Sequence, residues 1–283
     1  MKKIKKLTAI VLVLVMALAF SGCGKMTAEQ LAAKMAVAVA KSPMTQEKIQ
    51  MEFEMGVGAR GITLNFDVDM AMDMLMSVDP YKAYTELEIS MDMLGQNYTD
   101  TMQLYVQEAD GTMTTYSYIV SADRWDKQTA QIPEEQYTAN YDWLKNKPAA
   151  ELTLAEETQT ISGREAYVLS CTITGTQMQE MMKSIGAVQG ALDEAGMSNF
   201  DMSAVTVPMV MYIDTQNYLP MQMELEIQGL DEMIEGMMEG LLGEDAAEIG
   251  MELEIGKITV VCTDIGYDAV MVPEVPQEAL SAE

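Results

Sequence analysis

Leu64-Asn65-Phe66-Asp67-Val68-Asp69-Met70-Ala71-Met72-Asp73-Met74 places an apolar side chain at every even position and mostly acidic ones between them. A period of two sends successive side chains to opposite faces of a strand, so the stretch predicts a β-strand with one dry face and one wet, acidic face. The pattern spreads outward from there. Upstream, Met51, Phe53, Met55 and Val57 alternate with Glu52 and Glu54; past an Asp79-Pro80 turn, Thr85, Leu87, Ile89, Met91 and Met93 alternate with Glu86, Glu88, Ser90 and Asp92. The meander continues through 102–106, through 113–120 after Asp110-Gly111, and through a short strand at 124–126.

Helical spacing appears elsewhere. Leu31, Met35 and Val39 share one side of 27–41, Thr27-x-x-Gln30 fits a capping box at its start, and Ser42-Pro43 ends it. A helix over 133–147 carries Tyr137, Tyr141 and Leu144 on one side. A hairpin around Ser162-Gly163, a strand at 165–174, a Met-rich helix at 176–195, a hairpin at 205–214 and 219–228, a helix at 230–242 and a closing stretch at 251–267 complete the pass. Pro273 and Pro276 mark a tail, 273–283, expected to fray. No linker of domain-dividing length interrupts 27–272, which predicts a single α+β domain.

The composition restricts chemistry. Of 17 Lys+Arg, four precede Cys23, leaving 13 against 44 Asp+Glu and a net charge of −31. A body that acidic lacks Lys/Arg clusters and is repelled by phosphate backbones and anionic lipid headgroups alike, which excludes nucleic acid as a partner. With no histidine there is no Ser-His-Asp or Cys-His relay and no His-ligated zinc. Acidic pairs such as Glu134-Glu135 or Asp231-Glu232 are inevitable among 44 carboxylates, so the expectation is a protein that is not an enzyme and carries no cofactor or metal.

Residues 1–22 read as an export signal: Lys2, Lys3, Lys5 and Lys6 precede an apolar run over 7–20 that is too short to span a bilayer. Phe20-Ser21-Gly22-Cys23 resembles the lipobox of bacterial lipoproteins. That resemblance implies a diacylglycerol on the Cys23 thiol and cleavage that makes Cys23 the N-terminus. Two acyl chains anchor stably where one binds reversibly. The chain is thus expected on the outer face of the cell membrane. Residues 23–26 form the lipidated end and a short tether, for four peptide steps at ~3.5 Å hold the helix start at Thr27 within about 14 Å of the anchor.

The order of elements, together with Ile161-Ser162-Gly163-Arg164-Glu165-Ala166-Tyr167-Val168-Leu169 and Tyr212-Ile213-Asp214-Thr215-Gln216-Asn217-Tyr218-Leu219-Pro220, resembles the lipoprotein-carrier superfamily, in particular a Gram-positive branch of extracytoplasmic lipoproteins. The resemblance covers most of the chain after residue 27. It implies a strongly curved antiparallel sheet, a half-barrel whose concave face is apolar and plugged by helices.

Two motifs imitate binding sites. Gly56-Val57-Gly58-Ala59-Arg60-Gly61 fits G-x-G-x-x-G, but the strand-like Ile62-Thr63-Leu64-Asn65-Phe66 follows where a dinucleotide site needs a helix, so the glycines predict a hairpin with positive φ. Asp67, Asp69 and Asp73 lack the glycine and terminal glutamate of a calcium loop and share one solvated strand face. Cys171 and Cys262 are the thiols beyond Cys23, and an exported compartment leaves both a disulfide and two buried free thiols open.

Twenty-seven of 29 methionines lie beyond residue 22, most of them on dry strand faces and on the helices at 176–195 and 230–242. Unbranched, polarizable thioethers suit a surface that adapts to variable apolar ligands, and they also fill ordinary cores. Two functions follow. One is a membrane-anchored module that holds a lipid or acyl chain in a cavity lined by Phe66, Met70, Met72, Met91, Met102, Met181, Met182, Met233 and Met237. The other is a structural or protein-interaction lipoprotein with a filled core and no small-molecule ligand.

Overall fold

A computed structural model describes residues 25–59, 62–109, 112–131, 151–184, 202–230 and 251–281. Six strands follow one another as a meander: β1 (Gln46–Ala59), β2 (Ile62–Val78), β3 (Tyr81–Met93), β4 (Gln96–Ala109), β5 (Thr112–Ile119) and β6 (Arg124–Gln131). The rest are β7 (Leu152–Leu154), β8 (Gln159–Ile161), β9 (Arg164–Thr174), β10 (Thr206–Asp214), β11 (Pro220–Ile227), β12 (Met251–Ile255) and β13 (Ile258–Gly266). All thirteen join one sheet in the order β6-β5-β4-β3-β2-β1-β13-β11-β10-β9-β7, with β12 also on β1 and β8 on β9. Every pairing is antiparallel, and the path ends on β6 and β7 without closing. Helices are few among the described residues: α1 (Ala28–Lys41), α2 (Gly175–Ser184) and α3 (Gln277–Leu280).

The register turns the alternation of single strands into one surface. Pairing partners share a face, so one apolar row runs Leu169, Met211, Met223, Cys262, Ile49, Met72, Leu87, Met102 across β9, β10, β11, β13, β1, β2, β3 and β4. A second runs Cys171, Met209, Leu225, Val260, Met51, Met70, Ile89. The opposite face carries Glu52, Glu54, Asp67, Asp69, Glu86 and Glu88.

Keeping that phase needs a correction along the closing strand. β12 and β13 both pair with β1, Ile255 opposite Met55 and Thr259 opposite Glu52, so three residues face two. This is a β-bulge, held where the Gly256 amide donates to the Glu54 carbonyl at 2.8 Å. Apolar positions therefore change from odd (Ile255) to even (Ile258, Val260, Cys262) without leaving the dry face. Gly56 and Gly58, expected in a positive-φ turn, lie instead inside β1, paired to both β2 and β12. Neither has positive φ; β1 and β2 pair out to Ala59 and Ile62, and Arg60 and Gly61 lie outside the described residues.

α1 covers the dry face at its β7–β9–β10 end. The capping box forms as expected, the Gln30 amide donating to Thr27 Oγ1 at 3.3 Å and the Thr27 amide to Gln30 Oε1 at 3.2 Å. Leu31 and Met35 are fully buried, and Val39 nearly so, against Leu152, Leu169, Val207, Met211 and Ile213. Burying each of these three helix side chains stabilises the fold by about 1.5–3 kcal/mol.

The tail departs from expectation. Residues 273–281 fold back over the wet face instead of fraying. Ala279 of α3 is fully buried, and with Val275 it packs on Tyr84, Tyr105, Tyr116 and Trp125. Lys82 Nζ meets Glu274 at 2.7 Å on the way. The cause is an aromatic patch in the polar phase of β3 to β6, where Tyr84, Tyr105 and Tyr116 stand opposite one another. Left bare, it would expose a large apolar area to water.

Candidate functional site

The dry face divides by burial. At the β9–β10 end, under α1, Leu169, Met211 and Ile213 have no exposure. Across the meander the same face is buried at Val68 and Leu87, half-buried at Met51, Phe53, Met70, Met72, Ile89, Met91 and Met102, and exposed at Leu64 and Tyr98. Phe66, Met70 and Met72 on β2, Met91 on β3 and Met102 on β4 all belong to this half-buried region, brought onto one face by the register. Met181 and Met182 belong to α2. Met233, Met237, Cys23, the helix expected at 133–147 and 231–242 of the helix expected at 230–242 lie outside the described residues, as does 185–195 of the helix expected at 176–195.

The two methionine-rich segments leave the sheet at one corner. α2 follows β9 directly, and the chain leaves β11 through a bridge between Gln228 and Thr206, the first residue of β10. Both departures press on the loop 202–205. The Gly175 amide donates to the Val205 carbonyl at 2.7 Å, and a Cβ on Gly175 would lie 1.6 Å from the Met202 carbonyl oxygen. Gly229 has φ of +75°, and its Cβ would lie 2.3 Å from the Ala204 oxygen. Glycine is required at both points.

One carboxyl breaks the apolar phase. Glu47 precedes Ile49 and Met51 on the dry side of β1, is buried, and faces a second bulge where Gln46 pairs with Gly266 but Lys48 with Thr263. Burial pushes the Glu47 carboxyl above its ordinary value, against a smaller lowering from the hydrogen bond that the Cys262 thiol donates to it. Burial, then the Glu47 charge, pushes the Cys262 thiol up to about 12. A thiol so protonated is a poor nucleophile. Cys171 and Cys262 are not joined in a disulfide: β10 and β11 stand between their strands, a separation of roughly 14 Å along the sheet at ~4.8 Å per strand, beyond disulfide reach. Asp214, the other buried carboxyl among the described residues, is structural: it pairs with Arg164 Nη1 at 2.9 Å and accepts the Gln216 amide at 2.7 Å, fixing the β10–β11 turn.

Residues 27–237 match the model of a family of unknown function, DUF6612. The chain belongs to the DUF6612 family. No curated protein matches its sequence. Among solved structures, this DUF6612 protein is similar to LprF from Mycobacterium bovis, at 11% identity over 87% of this chain and 96% of that one, with a TM-score of 0.41. A DUF1329 family protein from Desulfovibrio piger is similar at 10% identity, over 86% and 93% of the two chains, with a TM-score of 0.23. A LolA superfamily protein from Nitrosomonas europaea is similar at 9% identity, over 90% and 97%, with a TM-score of 0.19.

On the wet face of the DUF6612 chain, carboxylates oppose one another across the strands. Glu54 pairs with Asp67 and Asp67 with Asp92, while Glu52 pairs with Asp69. Directly opposed like charges destabilise a sheet. Asp73 alone among the three aspartates of the calcium-like run has a cation beside it, Lys48 at 3.8 Å. No group of three or more metal-ligating side chains converges among the described residues, and no described helix is long and apolar enough to cross a membrane.

Proposed function

We propose that this DUF6612 protein is a membrane-anchored extracytoplasmic lipoprotein, a binding protein and not an enzyme, that holds a lipid or acyl chain on the methionine-bearing half of its apolar face. The observation that carries the reading is the unequal burial of one continuous surface. Its β9–β10 half is sealed under α1, whereas its meander half keeps methionines half-buried and Leu64 exposed. A soluble protein seldom leaves a large contiguous apolar surface without a partner. Thioethers adapt to flexible chains, and curvature of the sheet would wrap that half around a ligand. Phe66, Met70, Met72, Met91 and Met102 are the sheet-borne contacts, with Met181, Met182, Met233 and Met237 supplying the opposite wall. The anchor is a diacylglycerol on Cys23.

Two experiments test the reading. Native mass spectrometry and solvent extraction of the purified chain should find bound lipid, and a fluorescent fatty acid should bind in competition with it. Absence of co-purified lipid together with no uptake of the probe would remove the ligand and favour the filled-core alternative. Cys23→Ala should move the protein from the membrane fraction to the soluble fraction; retention in the membrane would overturn the anchor.

A further inference from the structure

The exposed side of α1 is unlike the rest of the molecule. Residues 25–41 carry Lys25, Lys34 and Lys41 against Glu29 alone, in a chain whose acids otherwise far outnumber its bases. While Leu31, Met35 and Val39 are buried, Lys34, Val37 and Lys41 face outward at helical spacing, with Val37 half exposed. Beside them a groove of about 570 Å³ opens between α1 and the β10–β11 turn, its walls including Lys34, Val37, Lys41, Asn217, Tyr218 and Leu219, with no carboxylate among its lining residues. Lys34 Nζ donates to Tyr218 Oη at 3.0 Å and sits 4.4 Å from the ring centroid, which holds the ammonium at the groove's edge.

We propose that this face of α1 and its groove lie against the headgroups of an anionic membrane surface, with Lys25, Lys34 and Lys41 meeting lipid phosphates and Val37, Tyr218 and Leu219 seated among them. The inference rests on the Cys23 anchor proposed above, because Lys25 is only two peptide steps, about 7 Å, from that residue. Charge complementarity selects the surface: lysines beside a bilayer are drawn to anionic lipid. Asp214, the sheet acid beside the groove, whose Oδ1 accepts the Asn217 amide at 3.4 Å, is paired with Arg164 at 2.9 Å, and acids more than a Debye length of about 8–10 Å away are largely screened. An amphipathic residue such as Tyr218 suits the headgroup level, having one apolar end and one wet end. The lipid chains then hold the protein while α1 sets its orientation.

The test couples the chain from Cys23 to Glu283, through the Cys23 thiol, to a maleimide phospholipid in vesicles of phosphatidylcholine alone or mixed with phosphatidylglycerol. Lysines are acetylated briefly with a water-soluble succinimidyl ester and read one by one by mass spectrometry. Lys25, Lys34 and Lys41 should react several-fold more slowly on the mixed vesicles than on phosphatidylcholine, with Lys48, Lys127 and Lys257 unchanged, and high salt should abolish the difference. The K34E/K41E variant should lose the protection of Lys25. Protection spread evenly over all lysines, strongest away from α1, or absent would overturn the proposal. The synthetic tether makes this outcome independent of acylation in the cell and of any ligand on the sheet, so its failure is distinguishable from failure of either part of the proposed function.

Discussion

β9 and β10 at one end of the sheet and β2 and β3 in the meander present the same kind of surface in the same phase, yet they have different fates. Met211 and Met70 both come from strands of period two, and both point to the dry face. Met211 is fully buried beneath α1, whereas Met70 is half-buried. The side chain is identical; the cover differs. What separates packed core from candidate binding surface here is the placement of α1, set by Leu31, Met35 and Val39, and not the composition of the strands.

The comparison breaks most severely at the corner of the sealed half. Gly175→Ala drives a Cβ into the Met202 carbonyl, and we expect a loss of at least about 3 kcal/mol, seen as a collapsed urea midpoint. The direct test is a matched pair of truncations. Met211→Ala should cost about 2–5 kcal/mol, while Met70→Ala, which loses only part of its burial, should cost roughly 1 kcal/mol in the ligand-free chain. Equal losses would mean that the two halves are packed alike.

A smaller effect is read as a slope. Glu47 is raised above its unfolded value, so its contribution to stability is fully present below the unfolded pKa near 4.5 and is lost as pH rises through the folded one. Glu47→Gln should therefore flatten the decline of the urea midpoint from pH 4.5 upward and leave the variant more stable than the parent at neutral pH. An unchanged pH profile would remove the cost assigned to the ionised carboxyl. Smallest of all, Asp67→Asn on the wet face relieves opposition to both Glu54 and Asp92, and it should raise stability by about 0.2–1 kcal/mol, more at low salt than at high.

Much of this was legible in the chain. The even-numbered apolar residues of 64–74 gave a dry face that the register keeps, and Ser162-Gly163 forms its hairpin with positive φ at both residues. Phe66, Met70, Met72, Met91 and Met102 share one face because strand phase alone dictates it. Other features depend on partners distant in sequence. β7 has three residues, too few to show a period. Pro273 and Pro276 suggested fraying, and the counter-signal was aromatic residues in the polar phase: Tyr84 among Glu86 and Glu88 needs a cover, which residues near 279 provide. Glu47, in phase with Ile49 and Met51, was equally visible as an acid on the dry side, where it is buried. Gly56 and Gly58 misled because glycine marks turns more often than strand interiors.

The central seam of the sheet joins β1 to β13, so residues near 50 wait for residues near 260. A ribbon sewn from both ends cannot be finished while its last stitches are missing, and the long loop closed by that pairing makes zipping slow. During synthesis or threading through a pore, the early strands must remain unjoined at this margin until nearly the whole polypeptide has emerged. If the chain is exported as proposed above, that delay would leave the last seam to close only on the far side.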